Sequence, residues 1–132
     1  MGLSAEPGEN RFSASLPFRE ISRGMGAYGL PGDLSSPSRF VRAVFTKTHA
    51  LAGKTEKENV SQFFHILGAV EQQKGCVHLN GKYEYTIYSS CSNTEKGIYY
   101  YTTYDDRQII RADLHGTDLD GEEIVICSKV AH

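Results

Sequence analysis

Apolar positions change their period once along this chain, and the change divides it in two. In "SSPSRFVRAVFTKTHAL" the residues Phe40, Val41, Val44 and Phe45 recur at the spacing of one helix face. Ser36 is placed to cap that helix. Pro37 stands at its first position, where a missing N–H costs nothing. Gly53 marks the end of the connection that follows. A second helix is predicted from Thr55, because "TEKE" is a capping box: Thr55 accepts from the backbone near Glu58, and Glu58 reaches back. Val60, Phe63, Phe64, Leu67 and Val70 then repeat at helical spacing as far as "QQKG".

From residue 82 the period becomes two. "KYEYTIYSS", "GIYYYTTY", "RQIIRADLH" and "EEIVICSKV" are β-branched and aromatic runs, separated by the turn chemistry of "CSNTEK", "DDR" and "GTDLDG". Such short connections predict an antiparallel meander of three or four strands. Seven of the eight tyrosines fall between residues 83 and 104, and "IYYYTTY" puts rings on both faces of its strand. A strand covered on both sides suits a layered sandwich with helices outside. Residues 1–20, rich in Ser, Pro, Glu and Arg, read as a surface strand or loop. Two consecutive helices followed by a meander place the chain in the α+β class.

Composition narrows the function classes. The 132 residues suit one compact domain, and 39% hydrophobic with 23% charged is the balance of a globular chain. Fourteen basic against sixteen acidic residues leave a formal charge of −2 with no basic cluster, so nothing favours nucleic acid. No apolar run approaches the ~20 residues that span a bilayer. The opening "MGLSAEPGEN" is polar and acidic, unlike a secretory signal, and Glu6 stands where myristoylation needs Ser or Thr. Cys76, Cys91 and Cys127 are widely spaced with no C-x-x-C pair, which points to reduced thiols rather than a disulfide framework or zinc site. The expectation is a cytoplasmic protein with no metal and no cofactor.

"RGMGAYGLPGD" tests that expectation, because Gly24, Gly26 and Gly29 satisfy G-x-G-x-x-G. A dinucleotide loop must follow a hydrophobic strand and open directly into a helix whose N-terminus receives the pyrophosphate. Here "LPFREISR" precedes it and "LPGDLSS" separates it from the helix, with no βαβ unit beyond. The glycines instead predict a wide turn with positive φ or close backbone approach. Arg39 is the odder residue. It falls in the first helical turn, where a cation opposes the helix dipole by about a few tenths of a kcal/mol. A local rule broken without visible compensation points mildly to function. The structural alternative is an ion pair with Asp33 or another nearby carboxylate, and the helical wheel does not separate Arg39 from Arg42, since both lie off the apolar stripe.

The run "GMGAYGLPGDLSSPSRFVRAVF" resembles the choloylglycine hydrolase family, which includes bile salt hydrolases and penicillin V acylases. "SQFFHILGAVEQQKG", "KYEYTIYSSC" and "GIYYYTTYDD" continue the likeness in order, closer to the bile salt hydrolases, from "ENRFS" to "EEIVIC". The resemblance implies the C-terminal part of an αββα sandwich of the N-terminal nucleophile hydrolases, with residues 1–132 as a single partial domain. It implies cleavage of a linear amide such as the bond from a bile acid to glycine or taurine, with no cofactor. The family's nucleophile is a cysteine exposed as first residue, whose own α-amino group serves as base. Arg, Asp and Asn residues downstream position the thiol and bind the tetrahedral intermediate. Through "SRFVR", Arg39 corresponds to a late arginine of that set, and it is the one catalytic position the resemblance carries over.

The same resemblance implies that the chain is incomplete as a catalyst. Gly2, not cysteine, follows Met1, and "MGLS" looks like an internal stretch of the longer enzymes. None of the three cysteines is N-terminal, and nothing pairs one with His65, His78 or His115, which read as core or surface residues. The tyrosines are candidates for an apolar steroid pocket, with plain packing as the alternative. Two functions follow. One is a C-terminal piece of a bile salt hydrolase-like amidase, inactive alone, either the product of a truncated or interrupted gene or a chain completed by a separately supplied N-terminal half. The other is a non-catalytic module that binds bile acid or self-associates as a homo-oligomer.

Overall fold

A computed structural model describes residues 29–126, with Ser15 and Ala27 before them. The chain divides into two compact units, Met1–Arg42 and Ala43–His132. Helix α1, Ser36–His49, begins in the first and ends in the second.

In the first unit a turn closes where Leu30 N–H donates to Ala27 O at 3.0 Å, and Gly29 takes φ +96°, as the glycine-rich stretch predicts. Gly24 and Gly26 lie outside the described residues. The cap of α1 is Ser35, one residue earlier than the sequence suggests. Its carbonyl accepts from Arg39 N–H at 2.9 Å, and its hydroxyl accepts from Ser38 N–H at 3.4 Å. Ser36 and Pro37 therefore sit inside the first turn, where their own amides have no helical partner to lose.

In the second unit α1 ends with Lys47 and His49 in its last turn, the favourable place for cations. Helix α2, Glu56–Gly68, starts with the expected capping box: Glu58 N–H donates to Thr55 Oγ1, and Thr55 N–H donates to Glu58 Oε2, both at 3.2 Å. Gly53 precedes it because a Cβ there would lie 2.4 Å from Glu58 Cβ. Val70 falls beyond the helix, whose C-cap is Ala69.

Two antiparallel sheets follow. Strands β1, Val77–Leu79, and β2, Lys82–Glu84, form a hairpin. Strands β3, Tyr88–Asn93, β4, Ile98–Thr103, and β5, Ile110–Asp113, form a meander in that order. "KYEYTIYSS" is thus two strands, not one. Thr86 breaks it, because its N–H donates to Gln72 O and its hydroxyl accepts from Gln72 N–H, both at 3.0 Å, which ties it to the loop after α2. Cys91, Ser92 and Asn93 extend β3 into what the sequence marks as a turn. Of the last run, Glu122–Ile126 is irregular, with Ile124 91% exposed, and the remainder lies outside the described residues. A strand needs a partner for its N–H and C=O groups, and none lies beside that segment among the described residues.

The meander sits against α2 on one face. In register, Ser89, Cys91 and Asn93 stand opposite Thr102, Tyr100 and Ile98, and the last three are the buried residues of β4. The other face carries Tyr99 and Tyr101, their rings 6.1 Å apart. Coverage on both faces is not found among the described residues, since Tyr88 is 60% and Tyr99 41% exposed.

Ile98, with only 6% of its surface accessible, anchors what core this unit has. Replacing Ile98 with Ala removes buried methyl groups and leaves a void, so the expected loss is about 2–3 kcal/mol, measured as a lowered urea midpoint with unchanged slope.

Candidate functional site

The polar groups on either side of Arg39 in the chain belong to the start of α1. Asp33 lies two residues before the cap. Its Oδ1 accepts from Ser35 N–H at 2.9 Å and its Oδ2 from the buried Ser38 hydroxyl at 2.5 Å. These bonds, from Ser35 first and Ser38 next, hold the Asp33 carboxyl down at about 2. Arg42, two turns in, sends its guanidinium back along the helix, the direction long helical side chains take. Its Nη1 donates to Pro31 O at 3.0 Å and Asp33 O at 2.6 Å. Arg39 is half-buried in the first turn and is likewise engaged. Asp33 thus serves the serines and the helix start. The sequence singles out Arg39 but not the ties from Arg42; the signal for the network is the spacing Asp-x-Ser-x-x-Ser, an Asx turn running into a helix cap.

A second polar cluster, which sequence reasoning does not find, lies at the start of α2. The Glu56 carboxylate accepts from Asn93 Nδ2 at 2.7 Å, Lys96 Nζ at 2.6 Å and Tyr100 Oη at 3.0 Å. Lys96 foremost, then Asn93 and Tyr100, holds its carboxyl below the usual range. An open pocket of about 600 Å³ adjoins it, lined by Val60, Phe63, Cys91 and Tyr100 among others. Three donors favour the ionised form of Glu56, which makes it a poor general acid. Cys91 in the same pocket has its thiol pushed up by burial, the reverse of an activated thiolate.

The remaining sequence candidates are scattered. Cys76 is exposed, and Cys127 lies outside the described residues. His65 is exposed on α2, His78 stacks on Tyr83 with ring centroids 5.2 Å apart, and His115 sits in the short 3₁₀ turn Leu114–Gly116. The tyrosines do not converge: Tyr100 lines the pocket by α2, while Tyr99 and Tyr101 fall on the opposite face. Among the described residues no group of three or more His, Cys, Asp or Glu is placed to hold a metal ion. No helix there is long and apolar enough to cross a membrane.

Comparison with known proteins gives this geometry a context. The family of linear amide C–N hydrolases called the choloylglycine hydrolase family matches residues 1–127. A bile salt hydrolase/transferase of Lactiplantibacillus plantarum is 57% identical over 124 residues, 93% of this chain and 38% of that protein. One from Bifidobacterium longum is 39% identical over 107 residues, 80% of this chain and 34% of its own. The crystal structure of a mutant conjugated bile acid hydrolase from Clostridium perfringens superposes with a TM-score of 0.73 at 34% identity, covering 93% of this chain and 38% of that one. The chain therefore spans a little over a third of the length of these relatives.

Two outcomes are expected from the site's electrostatics. The Asp33 carboxyl is lowered from 3.8 to about 2 in the fold, so the stability it lends is present above pH 3.8 and is lost as pH falls toward 2. Amide exchange at Ser35 and Ser38 should rise over that window, and Asp33→Asn should remove the dependence. Exposed Cys76 should react with a disulfide reagent well before Cys91 at neutral pH, as mass spectrometry of the labelled peptides would show.

Proposed function

The chain belongs to the choloylglycine hydrolase family of linear amide C–N hydrolases, and from that membership we propose that it supplies the C-terminal part of a bile salt hydrolase-like amidase. The substrate in this reading is a bile acid conjugated to glycine or taurine, and the bond cleaved is the amide between them. The single observation that carries it is the 57% identity to a bile salt hydrolase/transferase across 93% of the chain. Residues 1–132 form one partial domain, completed by the portion of the fold that the relatives possess and this sequence does not. Homo-oligomers of the completed unit and a cytoplasmic location complete the reading; free Cys76 and Cys91 agree with a reducing compartment.

Arg39 is the residue assigned to the reaction. A guanidinium is charged at every working pH, so beside a thiol it favours the thiolate and beside a tetrahedral intermediate it offsets the developing oxyanion. The nucleophile itself comes from elsewhere. Cys91 has its thiol pushed up by burial, the wrong way for a nucleophile. The alternative of a non-catalytic steroid-binding module gains nothing from the geometry, because the tyrosine rings are divided between two faces of the meander.

A fusion tests this directly: the chain replaces the matching 38% of the Lactiplantibacillus plantarum protein. The fusion is expected to hydrolyse a glycine-conjugated bile acid, the isolated chain to show no turnover, and Arg39→Ala to lower kcat/KM of the fusion by about 100-fold or more. Turnover by the isolated chain, or an unimpaired Arg39→Ala fusion, would overturn the reading.

A further inference from the structure

Resting on the assignment of Arg39 to the reaction, we infer that Arg42 is a positioning residue for it, acting by clamping the loop 31–33 against the first turns of α1. Nothing in the likeness to other proteins singles Arg42 out; the geometry does. One Nη1 nitrogen carries two hydrogens, and both are spent on backbone carbonyls, Pro31 O at 3.0 Å and Asp33 O at 2.6 Å. Those carbonyls lie nine and eleven residues earlier in sequence, so a single side chain bridges the loop to the third position after Arg39. Charge-assisted bonds of this kind are roughly twice as strong as neutral ones.

The bonds form one continuous chain. Arg42 fixes the backbone of Asp33. The Asp33 carboxylate fixes Ser35 N–H and the Ser38 hydroxyl. The Ser35 carbonyl in turn accepts the amide of Arg39 itself, at 2.9 Å. Ser38, the neighbour of Arg39, is 9% exposed, so the segment has little room to relax if one member is lost. A catalytic guanidinium must be held to a fraction of an ångström, since a misplacement of about 1 Å costs on the order of 100-fold in rate.

The test is a double-mutant cycle in the fusion described above, with Arg39→Gln, Arg42→Gln, the pair together, and Arg42→Lys. An ammonium has the donors for both carbonyls, although its stem is shorter, so Arg42→Lys should keep much of the rate. Arg42→Gln is expected to lower kcat about 10- to 100-fold with KM changed by no more than about threefold. In the Arg39→Gln background the same change should cost less than about twofold, because a residue that works through Arg39 has nothing left to position. A merely structural arginine would cost the same in both backgrounds; that result, or full activity of Arg42→Gln, overturns the inference while leaving Arg39 in place. Full activity of Arg39→Gln overturns the assignment of Arg39 and this inference with it. Thermal melts of the four variants separate misfolding from misplacement: if Arg42→Gln does not melt cooperatively, Arg42→Met, which keeps the aliphatic stem and has no donor, takes its place in the cycle, and its loss must again vanish without Arg39.

Discussion

One carboxylate ties the second unit together. Glu56 stands at the first position of α2, and it receives Asn93, Lys96 and Tyr100, residues 37 to 44 positions later in the chain. The β3–β4 turn, its flanking strands and the helix start thereby share a single anchor. The placement is favourable twice over. An acid in the first turn of a helix meets the positive end of the dipole, and Lys96 neutralises what remains. Among the described residues few side chains are withdrawn from water, Ile98 and Tyr100 being the buried apolar ones. A hydrogen-bonded anchor consequently carries an unusual share of the helix-to-sheet register. At the far end of α2 a second ion pair, Arg107 to Glu71 at 2.5 Å, repeats the device.

Local signals proved legible wherever a few adjacent residues settle the matter. The capping box at Thr55 and Glu58, the helix after it, the meander of β3 to β5 and the turn at Gly29 all follow from residues close in sequence. What was hidden depends on distant partners. Nothing within "KYEYTIYSS" announces that Thr86 will bond to Gln72 in place of a neighbouring strand. The cap of α1 fell on Ser35 rather than Ser36, since Asp33 organises the loop so that Ser35 presents both its carbonyl and its hydroxyl. Glu122–Ile126 has strand composition and no strand, because composition supplies the propensity and a neighbour supplies the hydrogen bonds.

The candidate site divides along the same line. Arg39 could be singled out because a cation in a first turn violates a local rule. Arg42 could not, because its significance lies in two carbonyls about ten residues away, and a helical wheel treats the two arginines alike. Of the carboxylates near Arg39 in sequence, Asp33 gives its oxygens to Ser35 N–H and the Ser38 hydroxyl. Kinship with a family of amidases tells which arginine to examine. The hydrogen bonds tell what keeps it in place.

The tyrosines have a further consequence. With no tryptophan in the sequence and seven of its eight tyrosines between residues 83 and 104, the ultraviolet emission of this protein comes almost wholly from the two sheets and their borders. Tyr85 meets Tyr104 edge-on at 4.9 Å, and Tyr99 lies 6.1 Å from Tyr101, so excitation passes readily from ring to ring. Tyr100 differs from these in giving its hydroxyl to a carboxylate, an arrangement that drains an excited phenol of its proton and dims it. The meander therefore carries a built-in optical record of whether helix and sheet are joined, readable without any label.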